Sequence, residues 1–567
     1  MQIQQPDAPR RQSAPRQTTT IDPSRPSLVT LDTDVLVLIV DLSQATSPAS
    51  ARALARVCAL MHAIAQPSLH RSLALHVGPP SPTRTHTAAC LRQIASRALL
   101  PSIRTLRLVG GIPHDTATLA TLCGLLPLMT GPRELRYPQP LLPPELLAAL
   151  HAPSCPPLLR LHLPYWCFGR YRGGGPESLV QMAGSRHLGS LDVKVEYTTA
   201  EQCRESTRDV KRVLLSCPNL QSLTLNVGLG MHGCTRLTPP TEYCGFGFVD
   251  GERPPALTAL NIVEYPFCGE GLMNGSEYRP GPSFSGHSRE VAYWRDTFDW
   301  SRLTRLSTSS ANFPLQLMPK LIALEEVSIG RIRDGGSIAP FLQDVPSALR
   351  SISIPELRDI HGVLDAIARH GDSLRTFRVH RQGGSREPWN DRAVNAQQLW
   401  ELRRACPRLQ ELGIDLCRGD DWPWEALDAL ASFPCLRQLD VWFELRLGQE
   451  GEAREPVMTF QAAARLFAYL RARARPLFSV LRIHPGPPRI MRGARNRARA
   501  LERSATFVCE VCERDDEAAA DRYRVDCPEL SARDDEVDAK VAEARRAVEA
   551  GESTLAIALD GFPMRSE

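Results

Sequence analysis

The chain predicts an α/β fold that grows by repetition, an open solenoid of short stacked strands with helices and loops returning between them. Three observations carry this: a recurring apolar pattern, its distribution along 567 residues, and helix-forming stretches that run into it through a proline. The pattern is an apolar residue, two others, an apolar, one other, an apolar. It occurs at Ile103 to Leu108, Leu158 to Leu163, Leu188 to Val193, Leu220 to Leu225 and Leu257 to Ile262. Later copies are Leu324 to Ile329, Leu349 to Ile354, Leu374 to Val379, Leu409 to Ile414 and Leu436 to Val441, with a weaker one at Leu303 to Thr308. Alternate side chains of a strand point to opposite faces, so each copy carries an apolar face that it cannot bury alone. The copies must stack, and a stacked array presents one extended surface suited to binding.

Along the chain, residues 1–27 are rich in Pro, Gln, Arg, Ser and Thr without periodicity and are expected to be a disordered arm. Residues 28–75 change to a helical pattern. Val35, Leu36, Ile39 and Val40 share one helical face, and Leu54, Val57, Cys58 and Met61 share another, with breaks expected at Ser47-Pro48 and Gln66-Pro67. The repeat region is placed at 76–487, its strands from about residue 100. Helical stretches lead into Cys217-Pro218-Asn219-Leu220 and Cys406-Pro407-Arg408-Leu409, where proline ends the helix and sets an extended start for the strand. An insert is expected near 264–300: a Gly/Ser/Pro-rich stretch from Gly269 to Ser288, then an aromatic segment with Tyr293, Trp294, Phe298 and Trp300 that packs it onto the repeats. Trp422-Pro423-Trp424 is expected to seal a loop in the same way. Residues 488–567, arginine-rich from Arg489 to Arg503 and acidic from Asp534 to Glu549, read as a charged tail, partly disordered or helical.

Composition narrows the function classes. The chain is 43% hydrophobic and 23% charged, and its 67 basic against 63 acidic side chains give a net charge of +4, a balance that does not predict a nucleic-acid partner. Sixteen cysteines, many beside apolar residues, read as reduced buried thiols. No signal peptide or membrane span is expected, since the apolar run Val35 to Val40 stops at Asp41, and the reading is of a cytoplasmic or nuclear protein without a membrane partner.

Chemistry is sparse. Gly173-Gly174-Gly175 lacks the lysine of a phosphate loop, and Cys509-Glu-Val-Cys512 with Cys527 lacks a fourth zinc ligand. His62, His187 and His370 read as structural. No catalytic residue, metal or cofactor is expected, and the chain is read as a non-enzyme.

Two stretches carry a resemblance. Leu31-Asp32-Thr33-Asp34-Val35-Leu36-Val37-Leu38-Ile39-Val40-Asp41-Leu42, followed by Leu54-Ala-Arg-Val57-Cys58 and Gln66-Pro67-Ser68-Leu69-His70-Arg71-Ser72-Leu73, resembles the divergent F-boxes that head leucine-rich repeat proteins of filamentous fungi. The segment from Trp294 to Leu306 also looks like those proteins. Asp32 stands where the family usually has proline, and His70 where an aromatic is common. The resemblance implies a leucine-rich repeat horseshoe behind a small helical F-box-like domain. It also implies a substrate receptor of an SCF-type ubiquitin ligase, whose partners are a Skp-type adaptor with its cullin complex and an unidentified protein substrate. The adaptor-facing residues it implies are Leu31, Val35, Leu36, Ile39 and Leu42, with Val57 supporting the second helix. The alternative is a repeat scaffold without a ubiquitin-ligase link, its N-terminal helices serving as a cap.

If the pattern leucines point inward, the residues between them line the open concave face. Those include Glu326 and Ser328, Ser351 and Ser353, Thr376 and Gln438. The residues expected to bind substrate are Arg378, His380, Glu411, Asp415, Asp440 and Trp442, because an outward tryptophan beside charged groups suits partner binding.

Overall fold

The computed structural model of the chain describes residues 31–46, 48–76, 100–109, 116–129, 134–137, 142–155, 160–168, 179–229, 231–232, 235–236, 245–265, 287–309, 312–330, 338–354, 360–380, 393–417, 420–443, 456, 458–474, 478–485, 506–511 and 523–527. The arm expected at 1–27, the insert up to 286, Gly173 to Gly175, the arginine cluster 489–503 and the acidic stretch 534–549 lie outside the described residues. Two compact units divide the chain, 1–137 with 143–159, and 138–142 with 160–567.

The first unit opens with three helices: α1 (Thr33–Thr46), α2 (Pro48–Leu54) and α3 (Ala59–Leu69). Asp32 starts α1, its carboxylate accepting the Asp34 amide at 3.0 Å, so the residue that departs from the F-box pattern serves as a helix cap. The break at Pro48 is as expected, since proline fits the first turn of α2. The second expected helix is two. The chain turns after Leu54, and the Cys58 sulfur caps α3 by accepting the Met61 amide at 3.4 Å. Pro67 lies within the last turn of α3 instead of ending the helix before it. Leu36, Val40, Ala55, Met61 and Ala65 form the buried core of the three helices.

Strand β1 (Ser72–His76) follows directly and runs parallel to β2 (Thr105–Val109), with Leu73 opposite Leu106 and Leu75 opposite Leu108. The first repeat strand therefore begins within the stretch read as helical head, ahead of the position expected from the leucine pattern. Helix α4 (Thr116–Leu125), strand β3 (Glu134–Arg136), parallel to β2, and helix α5 (Pro144–His151) complete the unit.

The second unit is a parallel array whose strands pair in near-sequential order. Its early members are β4 (Arg160–Phe168), β5 (Leu188–Tyr197) and β6 (Ser222–Leu229), the small antiparallel hairpin β7 (Met231–His232) and β8 (Thr235–Arg236), and β9 (Ala259–Glu264). β10 (Arg305–Thr308), β11 (Glu326–Ile329), β12 (Ser351–Ile354), β13 (Thr376–Val379), β14 (Glu411–Leu416), β15 (Gln438–Phe443) and β16 (Val480–Pro485) continue it. The pattern residues are the core: Leu349, Ile352 and Ile354, or Leu409, Leu412 and Ile414, are each at most 2% exposed. At the strand starts from β9 to β16 one carbonyl accepts two amides of the next repeat, as Thr304 does from Glu325 and Glu326, both at 2.9 Å. That shared geometry locks successive repeats in register.

Helices return the chain between strands. Helix α6 (Ala200–Ser216) is capped by Thr199, and buries Cys203, Val210, Val213 and Leu214. Cys217 ends it as expected, its amide donating to Val213 and its sulfur to the Met182 carbonyl at 3.2 Å. Helix α7 (His287–Thr297) carries the aromatic segment, and Trp294 stacks on Phe298 at 4.7 Å while Phe298 stacks on Trp300 at 5.3 Å. Phe246 and Phe248 join this cluster, which confirms packing as the role of the insert aromatics. Shorter helices α8 (Asn312–Leu317), α9 (Ala339–Asp344) and α10 (Ile360–Ala368) precede α11 (Ala396–Ala405), which has a reciprocal cap between Asn395 and Gln398. In α12 (Trp424–Ala431) the loop is sealed as expected: Trp422 is buried against Phe443 and Trp424 donates to Asp421 at 2.9 Å. Last comes α13 (Phe460–Arg473).

Within the region expected to be tail, the described residues include two strands, β17 (Phe507–Val511) and β18 (Tyr523–Asp526). Both pair antiparallel, β17 on β16 and β18 on β17, and Phe507, Cys509 and Cys527 are buried. Covering the exposed edge of β16 removes a row of unpaired backbone groups. His370 is structural, as expected: its ring bonds the Leu342 carbonyl at 2.9 Å and accepts the Leu349 amide at 3.3 Å, and burial holds its pKa below the ordinary histidine value.

Candidate functional site

The residues expected on the open face come together at the C-terminal strands of the second unit. Register places Arg378, Gly413, Asp440 and Arg482 in one row across β13 to β16, and Asp415, Trp442 and His484 in the next. His380, one residue past β13, joins the second row by its hydrogen bond to Asp415 at 2.7 Å. Glu411 lies opposite Thr376 and Gln438, one row toward the strand starts, and is exposed.

The geometry of the two rows differs from the expectation in two ways. Asp415 and Asp440 are not open to a partner: they are 2% and 3% exposed, because the His380 ring covers the first and two arginines cover the second. Asp440 is shared by the Arg378 guanidinium and by Arg482, the latter at 3.3 Å. Trp442 is not a free aromatic platform either. His380 stacks on one face with ring centroids 4.0 Å apart and His484 on the other at 4.6 Å, both planes within 13° of parallel. The indole can offer a partner only its edge. Arg378 also lies over this ring at 5.6 Å.

Gly413 makes the arrangement possible. A Cβ there would sit 2.9 Å from Arg378 Cγ and 3.2 Å from the Trp442 ring, so the bare backbone is the space through which Arg378 reaches Asp440. His484 accepts from or donates to the Thr506 hydroxyl at 3.2 Å, and burial pushes its pKa down to about 4. Gly413, Arg482, His484 and Thr506 escaped the sequence reading. The signal existed: Phe478-Ser-Val-Leu481-Arg-Ile483 is another copy of the repeat pattern with phenylalanine in the first position.

On the first unit the structure separates the adaptor-facing set. Leu36 is fully buried in the three-helix core, which corrects its placement on a docking surface. Ile39 is half-buried. Leu31, Val35 and Leu42 are exposed at 41%, 43% and 60%, and Val57 is exposed at 60%. Leu38, missed in the sequence, is 58% exposed. Val35, Leu38 and Leu42 recur at the spacing of a single helical stripe, with Leu31 just before the helix, so α1 is apolar both toward its core and toward solvent. Asp41 fixes this helix to the start of β1 through Arg71 at 2.8 Å and to the end of α3 through the Ser68 hydroxyl.

The described cysteines are free thiols. Cys509 donates to the Ala463 carbonyl and burial pushes its pKa up to about 12; Cys512 lies outside the described residues. No described helix is long and apolar enough to cross a membrane.

No protein-family model matches the chain, and no curated protein matches it. Among solved structures it is similar to the leucine-rich repeat-containing protein LegL7 from Legionella pneumophila, at 12% identity and a TM-score of 0.30, over 71% of this chain and 99% of that one. It is also similar to a leucine-rich repeat protein of Leptospira interrogans, at 11% identity and a TM-score of 0.21, over 74% of this chain and 85% of that one.

Proposed function

We propose that the chain is a non-enzymatic protein-interaction scaffold acting as a substrate receptor. The exposed stripe of α1 docks a Skp-type adaptor of a cullin ubiquitin ligase, and the β13 to β16 face holds the protein to be modified. The observation that carries the docking half is the second apolar face of α1, since exposed leucines and valines in one stripe leave water only against a partner. The F-box resemblance of the same residues supplies the identity of that partner. The receptor contributes proximity, while bond-making belongs to the other subunits.

The test is recovery of a Skp-type adaptor with the full chain against a Leu38→Asp, Leu42→Asp variant. Both residues are exposed, so the variant keeps the parent's melting profile and loses at least about tenfold in adaptor affinity. Equal recovery from variant and parent refutes adaptor docking.

A further inference from the structure

We infer that the β13 to β16 face takes an extended acidic peptide, with the Arg378 and Arg482 guanidiniums receiving its carboxylates. The inference rests on the reading of this face as the partner-binding end and adds the chemistry of the partner. Its first support is the layering of charge. The Arg378 and Arg482 side chains are 48% and 33% exposed, whereas the Asp440 carboxylate that both engage is 5% exposed and Asp415 is 3% exposed. An approaching ligand meets the cations first.

Among the described residues, Arg378 and Arg482 are the arginines in the outward rows of β13 to β16, with the buried Asp415 and Asp440 beside them and the exposed Glu411 one row away. Each guanidinium has five donors in a planar fork that matches a carboxylate, and Asp440 engages one nitrogen of each. The forks are held in advance, Arg378 by Asp440 and by the Trp442 ring that two imidazoles clamp. Three strand spacings separate β13 from β16, roughly 14 Å, the length of about four extended residues.

The experiment uses the full-length chain and fluorescence anisotropy with a labelled octapeptide of alternating Glu and Ser, with Lys/Ser and Gln/Ser octapeptides as controls. The acidic peptide should bind at least about tenfold more tightly than either control, and should weaken as salt rises from about 0.05 M to about 0.3 M. Arg378→Gln with Arg482→Gln should reduce its affinity at least about tenfold. Should that variant fail to fold because Asp440 loses its partners, Glu411→Lys decides: it changes an exposed charge on the same face and should tighten the acidic peptide several-fold. Equal affinity for the three peptides, unchanged binding in the folded double variant, or no gain from Glu411→Lys overturns the inference. Adaptor recovery from the same preparations keeps the two readings apart, since its loss with peptide binding intact strikes only the docking of α1.

Discussion

One sheet face carries two kinds of surface on an identical core. Across β10 to β12 the central row is Ser307, Ser328 and Ser353, three small neutral side chains in register. Continuing into β13 to β16, the same row becomes Arg378, Gly413, Asp440 and Arg482. Beneath both, the inward residues are equally buried, Val327 and Ile352 on one side and Phe377 and Leu439 on the other, none more than 2% exposed. The repeat thus fixes the fold through its inward residues and leaves the outward ones free to differ, which is how one scaffold acquires a specialised end.

The largest effect should be indifferent to the boundary. Ile352→Ala beneath the serine row and Phe377→Ala beneath the charged row should each destabilise the second unit by about 2–5 kcal/mol, read as a shift in denaturant midpoint, while Ser353→Ala stays within about 0.5 kcal/mol. Comparable shifts for Ser353 and Ile352 would mean that the inward and outward assignment is wrong.

Acid should act on the charged end through His484. His484 has a folded pKa pushed down to about 4 from an ordinary 6.5, mainly by burial, with Asp440 opposing and His380, Arg378 and Arg482 reinforcing. Below the unfolded value the unfolded chain binds a proton that the folded chain does not, so stability falls as pH drops from about 6.5 to about 4, by up to about 3 kcal/mol. His484→Gln should flatten that slope in urea unfolding at a series of pH values. An unchanged slope would assign the acid sensitivity to other groups.

Smaller still is the shared carboxylate. Asp440→Asn should cost about 1–3 kcal/mol, the lower part of the range for a buried ion pair because both arginines can turn to water. Ser328→Ala, its counterpart in the serine row, should leave the melting temperature unchanged.

The finest comparison uses two glycines. A methyl at Gly413 meets Arg378 and Trp442 at 2.9–3.2 Å, whereas one at Gly330, after β11, meets its nearest atom, the Thr308 carbonyl, at 3.5 Å. Gly413→Ala should therefore cost about 1–2 kcal/mol and displace Arg378, and Gly330→Ala should stay within about 0.5 kcal/mol. Equal tolerance would show that Arg378 does not need that space.

Most of the array was legible because leucine periodicity reports burial directly, as at Leu188, Leu191 and Val193, all fully buried. Among the parallel strands, three were not. At β1 the leading apolar is His70, at β3 it is Pro132, and at β16 it is Phe478, so the pattern loses its leucine while the strand survives through pairing with its neighbour. β17 was hidden for another reason: Phe507 to Val511 sits between charged stretches, and pairing with β16 on one side and β18 on the other makes it a strand.

The sequence by itself determined the repeat, its inward residues and most of the polar side chains on the open face, because each depends on local spacing and on the two-residue alternation of strands. The tertiary structure decided what those side chains do. Asp415, Asp440 and Trp442 meet His380, Arg378, Arg482 and His484 only when four strands stand in register, and Leu36 parts from Leu38 only when α2 and α3 choose which side of α1 to cover. Partnership between side chains about 40 to 60 residues apart is a property of register and packing, and no spacing along the chain encodes it.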